Sequence, residues 1–218
     1  MLHYLQQLFQ ALDFASLWDA VLRVIAIFLC LTIHETCHGL AALALGDPTA
    51  KQLHRLSLNP LRHIDWIGLA MMFVAGFGWA KPVPVNPRYF KNPKWGMAIT
   101  SLAGPISNLV LALAALALLR GAVLVLPGTD WAVWLVNLLL ETSILSVGLG
   151  LFNLSPIPPL DGSKVLAAFL PDRAYAALMR YERYGILLLL ALSFLNVGSV
   201  SISRAIYAAW SALYNLIF

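Results

Sequence analysis

The sequence contains several apolar stretches that are too long for the core of a soluble protein of this size. The stretches at residues 16–45, 95–119 and 131–153 each exceed the roughly 20 residues that an α-helix needs to cross a bilayer. Two shorter ones follow at residues 184–197 and 199–218. Charged residues make up only 11% of the chain, against about 25% in a soluble domain. We therefore predict an all-α polytopic membrane protein with about five transmembrane helices, of which the last two either cross separately or pair as a hairpin.

The domain organisation follows from the lack of a long polar stretch. Nothing outside the apolar stretches is long enough to fold alone, so we expect a single membrane-embedded domain over residues 1–218. Apolar residues repeat at helical spacing near the N-terminus and indicate an interfacial helix at residues 1–14. This segment lacks a basic start and a small-residue cleavage site, so we expect no cleaved signal peptide. Residues 16–170 would form the core and residues 171–218 the C-terminal membrane helices.

The distribution of basic residues predicts the orientation of the chain. Arg120 is the basic residue that lies clearly on the opposite side from the main group. That main group contains eleven of the fourteen basic residues, and the positive-inside rule predicts that its side is cytoplasmic. Its members are Lys51, Arg55, Arg62, Lys81, Arg88, Lys91, Lys94, Lys164, Arg173, Arg180 and Arg183. These residues explain the net charge of +4, and no run is dense enough for a nucleic-acid surface. We expect no nucleic-acid partner.

The apolar stretch at residues 66–80 needs a separate interpretation, because it is short and contains three glycines. If it crossed the bilayer, the basic clusters on its two sides would lie on opposite faces of the membrane. We therefore predict a re-entrant β-type element between the first and second spans, covered by protein or a watery cavity. Residues 81–87, with three prolines, should follow as extended chain.

The first apolar span ends in an unusual group of ionisable residues. His34, Glu35 and His38 form an H-E-x-x-H motif. On a helix, positions i and i+4 share a face, so both imidazoles can bind one metal ion while Glu35 reaches its bound water. Ionisable residues at membrane depth are costly and generally mark function. The motif therefore predicts a zinc site with a general base, although it also occurs by chance in soluble proteins.

A hydrolytic zinc site needs a third protein ligand and an open position for water. Asp161 is the strongest candidate, because it follows a proline-rich break just after a span that ends on the same side as His38. Gly162 gives the backbone freedom at that point. His63, from the neighbouring polar stretch, is the second candidate ligand. The alternative for Asp161 is an N-cap on a helix at residues 163–170.

With these motifs in order, the sequence resembles the site-2 proteases, a family of intramembrane zinc metalloproteases, over residues 20–170. It is similar to the compact bacterial branch without PDZ or CBS domains. The matching pieces are H-E-x-x-H-G from His34 to Gly39, G-P-x-x-N from Gly104 to Asn108, N-x-x-P-x-P-P-L-D-G from Asn153 to Gly162, and the segments 59–65 and 79–83.

The resemblance implies a role for each matching residue. His34, His38 and Asp161 would hold one Zn2+ per chain, and Glu35 would be the catalytic base. Asn153 would hold the substrate or its oxyanion. Asn108 would be structural or would face the substrate. An edge strand would receive the substrate at Lys81, Pro82, Val83, Pro84 and Val85.

The predicted function is hydrolysis of peptide bonds within or next to transmembrane segments, as in regulated intramembrane proteolysis. The partners would be a membrane-spanning protein or peptide substrate and the lipid bilayer, and the sequence leaves open a homo-oligomer. The resemblance implies the bacterial cytoplasmic membrane, with the active site toward the cytoplasm. A divalent-metal transporter or channel using the His/Asp cluster is the alternative, but it leaves Glu35 without a role. Glu141, within the third span, would line a watery gate or pair with a polar group such as Arg204.

Overall fold

The computed structural model describes residues 17–75, 79–195 and 199–218, and within these ranges the chain is helical, with no β-strand. The predicted interfacial helix at residues 1–14 lies outside the described residues. The α-helices are α1 (Leu17–Ala44), α2 (Thr49–Gln52), α3 (Trp66–Ala75), α4 (Pro93–Val125), α5 (Asp130–Asn153), α6 (Asp161–Ala168), α7 (Asp172–Tyr181), α8 (Gly185–Phe194) and α9 (Ser199–Ile217). Short 3-10 helices occupy Pro60–His63, Pro87–Tyr89 and Glu182–Tyr184.

Three of these helices, α1, α4 and α5, are long and apolar enough to cross a membrane. They contain 28, 33 and 24 residues, so each is longer than the roughly 30 Å hydrocarbon core at 1.5 Å per residue. Large apolar side chains such as Val110, Leu118 and Leu124 are 59–74% exposed on α4, as expected of a surface that faces lipid. The prediction of an α-helical membrane protein with several spans is supported, while the number five stays a prediction.

The predicted β-type element is wrong for the part of residues 66–80 that the structure describes, because residues 66–75 form helix α3. Asp65 starts this helix: its Oδ1 accepts hydrogen bonds from the backbone N–H groups of Ile67 and Gly68, at 3.0 and 2.9 Å. Gly68 marks a close approach rather than a strand break, since a Cβ there would lie 2.1 Å from the carbonyl oxygen of Trp79. At ten residues, α3 is about 15 Å long, which is half of a bilayer core.

Helix α4 is the centre of the bundle and contacts α1, α5 and α6. Its buried positions are mostly small, including Gly96, Ala98, Ser101, Gly104 and Ala112. Small residues allow helix backbones to approach closely where lipid removes the hydrophobic drive for association. The close approach matters here because α4 forms one wall of the site described next.

An ion pair joins α1 and α5 within the bundle. Arg23 Nη2 lies 3.5 Å from Glu141 Oε1, and both side chains are more than four-fifths buried. Glu141 therefore has a charged partner on α1, and the predicted candidate Arg204 is not the partner that the structure gives. Pairing is the usual condition for keeping ionisable residues at this depth.

Candidate metal centre

The two histidines of the H-E-x-x-H motif lie on one face of α1, as the i, i+4 spacing predicts. Their Nε2 atoms are 2.9 Å apart, and the residues are almost fully buried, at 3% and 8% exposure for His34 and His38. Two buried ring nitrogens this close need a shared proton or a shared cation between them. The pair therefore forms the base of a candidate metal site.

Asp161 completes the group from a distant part of the chain. It is the first residue of α6, and its Oδ2 lies 3.1 Å from the Nε2 atoms of both His34 and His38. The alternative of an N-cap is wrong, because Leu160 is the N-cap of a helix that starts at Asp161 itself. Burial would raise the pKa of this carboxyl group, but its bonds to the two histidines outweigh burial and hold the pKa well below its usual value.

The donor set fits one divalent metal ion. One nitrogen from each histidine and one carboxylate oxygen lie within 4.8 Å of one another, all on buried residues. Their separations of 2.9–3.1 Å are close to the roughly 3.3 Å expected between ligands of a tetrahedral zinc ion. His38 Nδ1 lies 2.7 Å from the carbonyl oxygen of Thr100, a bond that places the proton on Nδ1 and leaves Nε2 free for a metal.

Asn108 supports the other histidine. It is fully buried on α4, and its Nδ2 lies 3.3 Å from His34 Nδ1, while its Oδ1 has no hydrogen-bond partner. The oxygen and nitrogen of a side-chain amide exchange places by a 180° flip. With Oδ1 toward Nδ1, Asn108 accepts the imidazole proton and frees Nε2 of His34, the arrangement of an outer-shell partner in metal sites.

Gly104 is a site residue to which the sequence interpretation gives no role, although it belongs to a matching motif. A Cβ at this position would lie 2.5 Å from Cε1 and Nε2 of His38 and 2.7 Å from Cε1 of His34. The histidine rings therefore lie directly against the backbone of α4. The position of Gly104 before Pro105 in the middle of a span is the available signal, because a glycine inside a helix is unfavourable without a packing reason.

Glu35 lies beside the three candidate ligands without belonging to their cluster. Its Oε2 accepts a 2.8 Å hydrogen bond from the backbone N–H of Val83. The segment at residues 81–86 thus holds the carboxylate of the residue that directly follows His34 in the chain. Residues 81–86 form neither a helix nor a strand, and Asn86 at their end has extended backbone angles.

The same segment is attached to the rest of the domain at both ends. The N–H of Lys81 donates to the carbonyl oxygen of His63 at 2.9 Å. Arg55 donates to the carbonyl oxygens of Lys81 and Pro82. At the other end, the N–H of Asn86 donates to Oδ2 of Asp47 at 2.6 Å, and Asp47 is fully buried just after α1. Pro82, Pro84 and Val85 lie between these attachments, with Val85 half-buried.

The two remaining predicted residues, Asn153 and His63, lie outside the ligand cluster. Asn153 is the last residue of α5, and its Nδ2 donates to the carbonyl oxygen of Leu149, one turn earlier, at 3.0 Å. His63, the second candidate ligand, is buried and bonds through Nε2 to the carbonyl oxygen of Ser57 at 2.7 Å. Among the residues that the structure describes, the cluster able to hold a metal contains Asp161 and not His63.

Comparison with known proteins finds relatives over most of the chain. It is 37% identical over 200 residues to "Putative zinc metalloprotease YwhC" of Bacillus subtilis, covering 87% of this chain and 84% of that protein. It is 31% identical over 191 residues to "Putative zinc metalloprotease Rip2" of Mycobacterium tuberculosis, covering 84% and 70%. The Rip2 protein of Mycolicibacterium smegmatis is 29% identical over 180 residues, covering 79% and 66%. No family model and no solved structure matches the chain.

Proposed function

Since the chain belongs to the site-2 protease family of zinc metalloproteases, we propose that it hydrolyses peptide bonds within or next to transmembrane segments of other proteins. The observation that carries the proposal is the convergence of His34, His38 and Asp161, with Glu35 fixed beside them. Two imidazoles and one carboxylate leave a position open for water, as a catalytic zinc site requires and a closed structural site does not.

The proposed cofactor is one Zn2+ per chain, held by His34 Nε2, His38 Nε2 and Asp161 Oδ2. When bound there, zinc would supply a water of lowered pKa and would polarise the scissile carbonyl group. Glu35 takes the proton of the attacking water on its carboxylate and delivers it to the leaving amine. The carbonyl of Thr100 and the amide of Asn108 keep the two imidazoles in the tautomer that presents Nε2.

The location of the site supports cleavage inside the membrane. The histidines lie on α1, one of the three helices long enough to span, and His34 is ten residues before the end of that helix, or about 15 Å along its axis. This position supports a site at bilayer depth, closer to the end of α1 that precedes Lys51 and Arg55. We propose that this end faces the cytoplasm. Helix α3, too short to cross, would be re-entrant from the same side.

The segment at residues 81–85 is the proposed substrate-binding element. It forms neither a helix nor a strand, and its Val83 is bonded to Glu35, so a substrate held along it would reach the residue beside the proposed ligand His34. Pro82 and Pro84 have no N–H, so main-chain pairing with a substrate would be partial. Asn153, at the end of α5, is the proposed residue for holding the substrate or its oxyanion.

The test compares purified wild-type protein with a Glu35→Gln variant in detergent, using a panel of single-span substrates and zinc quantification. The glutamine keeps an oxygen that can accept the Val83 N–H, so the site should keep its shape. We expect about one zinc per chain in both proteins and a loss of cleavage of about a hundredfold or more in the variant. Equal cleavage by both proteins would remove Glu35 as the base. Zinc-dependent metal flux in vesicles without cleavage would favour the transporter alternative.

A further inference from the structure

A cavity of about 420 Å³ lies between α1 and α5. Its volume is within the range of about 300–1,000 Å³ that is usual for ligand sites. Ile27 and Leu31 line it from α1, Leu149 and Phe152 from α5, and Trp79 and Ala80 from the segment that leads to Val83. Its surface is almost entirely apolar.

The residues that line the cavity lie on the same elements as the residues of the metal centre. Along α1, Ile27, Leu31, His34 and His38 are spaced i, i+4, i+7 and i+11, so the lining residues and the two histidines form one row on one helix face. On α5, Phe152 directly precedes Asn153. Ala80 is three residues before Val83, whose N–H is bonded to Glu35. A chain leaving the metal centre along this face would therefore enter the cavity.

An ion pair lies one helical turn beyond the cavity-lining residues of α1 and α5, on the side away from the metal centre. One helical turn beyond Ile27 lies Arg23, and one turn beyond Leu145, another lining residue, lies Glu141. These two residues form the ion pair between α1 and α5. An apolar chain that extended past this point would have to separate two buried charges, which costs free energy because each charge is left without its partner.

We propose that this cavity binds the apolar residues on one side of the scissile bond of the substrate; the proposal rests on the protease function above. The number of substrate residues that the cavity can hold follows from its length along α1. Ile27 and His34 are seven residues apart, about 10.5 Å along the helix axis. An extended chain covers that distance with about three residues. The cavity should therefore select for three consecutive large apolar residues on one side of the cleaved bond.

Gly148 is the position at which the cavity can be filled. It lines the cavity, and a Cβ there would lie 3.7 Å from Cδ1 of Ile206, an ordinary contact. A Gly148→Phe variant would thus place its ring in the cavity. Gly121 is the matched control, because it also lies in a long apolar helix, is exposed, and would have nothing within 4 Å of an added Cβ.

The experiment uses single-span substrates that carry either three leucines or three alanines on one side of the cleaved bond, with each side tested in turn. When the three leucines lie on the side of the cleaved bond that the cavity binds, Gly148→Phe should lower kcat/KM by about tenfold or more. Alanine substrates should be much less affected, and Gly121→Phe should behave like wild type. Ile206→Ala, which widens the cavity, should shift the preference toward larger residues.

Binding of the same substrates, fluorescently labelled, to Glu35→Gln protein separates this proposal from the protease function. If nothing is cleaved but binding shows the same size dependence, the protease function fails and the cavity assignment stands. If wild type cleaves and Gly148→Phe keeps an unchanged size preference, the cavity assignment is overturned while the protease function stands. Equal losses for leucine and alanine substrates would also overturn it.

Discussion

The backbone N–H of Val83 donates a 2.8 Å hydrogen bond to Oε2 of Glu35, which lies 48 residues earlier in the chain. Val83 stands between Pro82 and Pro84, and proline has no N–H. The segment at residues 81–86 therefore offers one backbone donor at this point, and that donor holds the proposed base. Because the donor is a main-chain group, its role can be tested by changing the backbone rather than the side chain.

Val83→Pro should remove this hydrogen bond and leave Glu35 poorly positioned. We expect kcat to fall by about tenfold to a hundredfold, the usual effect of losing one hydrogen bond to a charged group, and KM to change less than kcat. Val83→Ala keeps the N–H and serves as the control. Comparable losses in both variants, or a change mainly in KM, would show that Val83 acts through its side chain or through substrate binding instead.

Gly104→Ala should damage the metal site directly. The added methyl group would lie 2.5–2.7 Å from ring atoms of His38 and His34, so the rings or α4 must move, and overpacking of this kind costs about 1–3 kcal/mol. We expect zinc affinity, measured by chelator competition, to fall about tenfold or more. Gly121→Ala, with open space around it, should retain wild-type affinity. Normal zinc binding in Gly104→Ala would contradict the close packing of α1 on α4.

Asn108→Ala should weaken metal binding through His34. The amide of Asn108 lies 3.3 Å from His34 Nδ1, and loss of such an outer-shell partner typically lowers metal affinity by about 10–100-fold. Asn108→Asp keeps an oxygen that can accept the imidazole proton and should recover most of the affinity. If both variants bind zinc equally poorly, Asn108 acts by packing alone.

The Arg23–Glu141 pair should stabilise the helix bundle, so replacing either residue alone should lower the thermal stability of the protein. Arg23→Met or Glu141→Met alone leaves one buried charge without this partner, so each should lower the thermal unfolding temperature. The double variant should recover part of that loss, with a coupling energy of about 0.5–3 kcal/mol. Thermal unfolding in one detergent, followed for all four proteins, measures the coupling, and strictly additive effects would mean that the pair contributes nothing.

The sequence predicts the parts of this site that depend on local periodicity. The spacing of His34 and His38 is enough to place both on one helix face, and the proline-rich break before Asp161 is enough to suggest a turn back to that side. The β-type prediction for residues 66–75 is wrong because a short apolar stretch with glycines fits a strand or a buried helix equally well. The signal that decides for a helix is the N-capping side chain of Asp65.

Other contacts of the site depend on tertiary packing and cannot be read from spacing. The bond from His38 to the Thr100 carbonyl joins residues 62 positions apart, and the contact of Gly104 with both rings exists because α1 and α4 approach closely. Because Pro82 and Pro84 have no N–H, the sequence shows that Val83 carries the backbone donor at this point. It does not predict that Glu35 is the acceptor. Such contacts follow from the arrangement of helices rather than from any local motif.

The attachments of the segment at residues 81–86 have a mechanical consequence. Lys81 is bonded to His63, Val83 to Glu35, and Asn86 to Asp47, and Glu35 belongs to α1 while Asp47 follows directly from its end. The histidines of α1 and the segment at residues 81–86 are therefore linked through two hydrogen bonds, one at Glu35 and one at Asp47. Separating this segment from α1 would break both the bond from Val83 to Glu35 and the bond from Asn86 to Asp47.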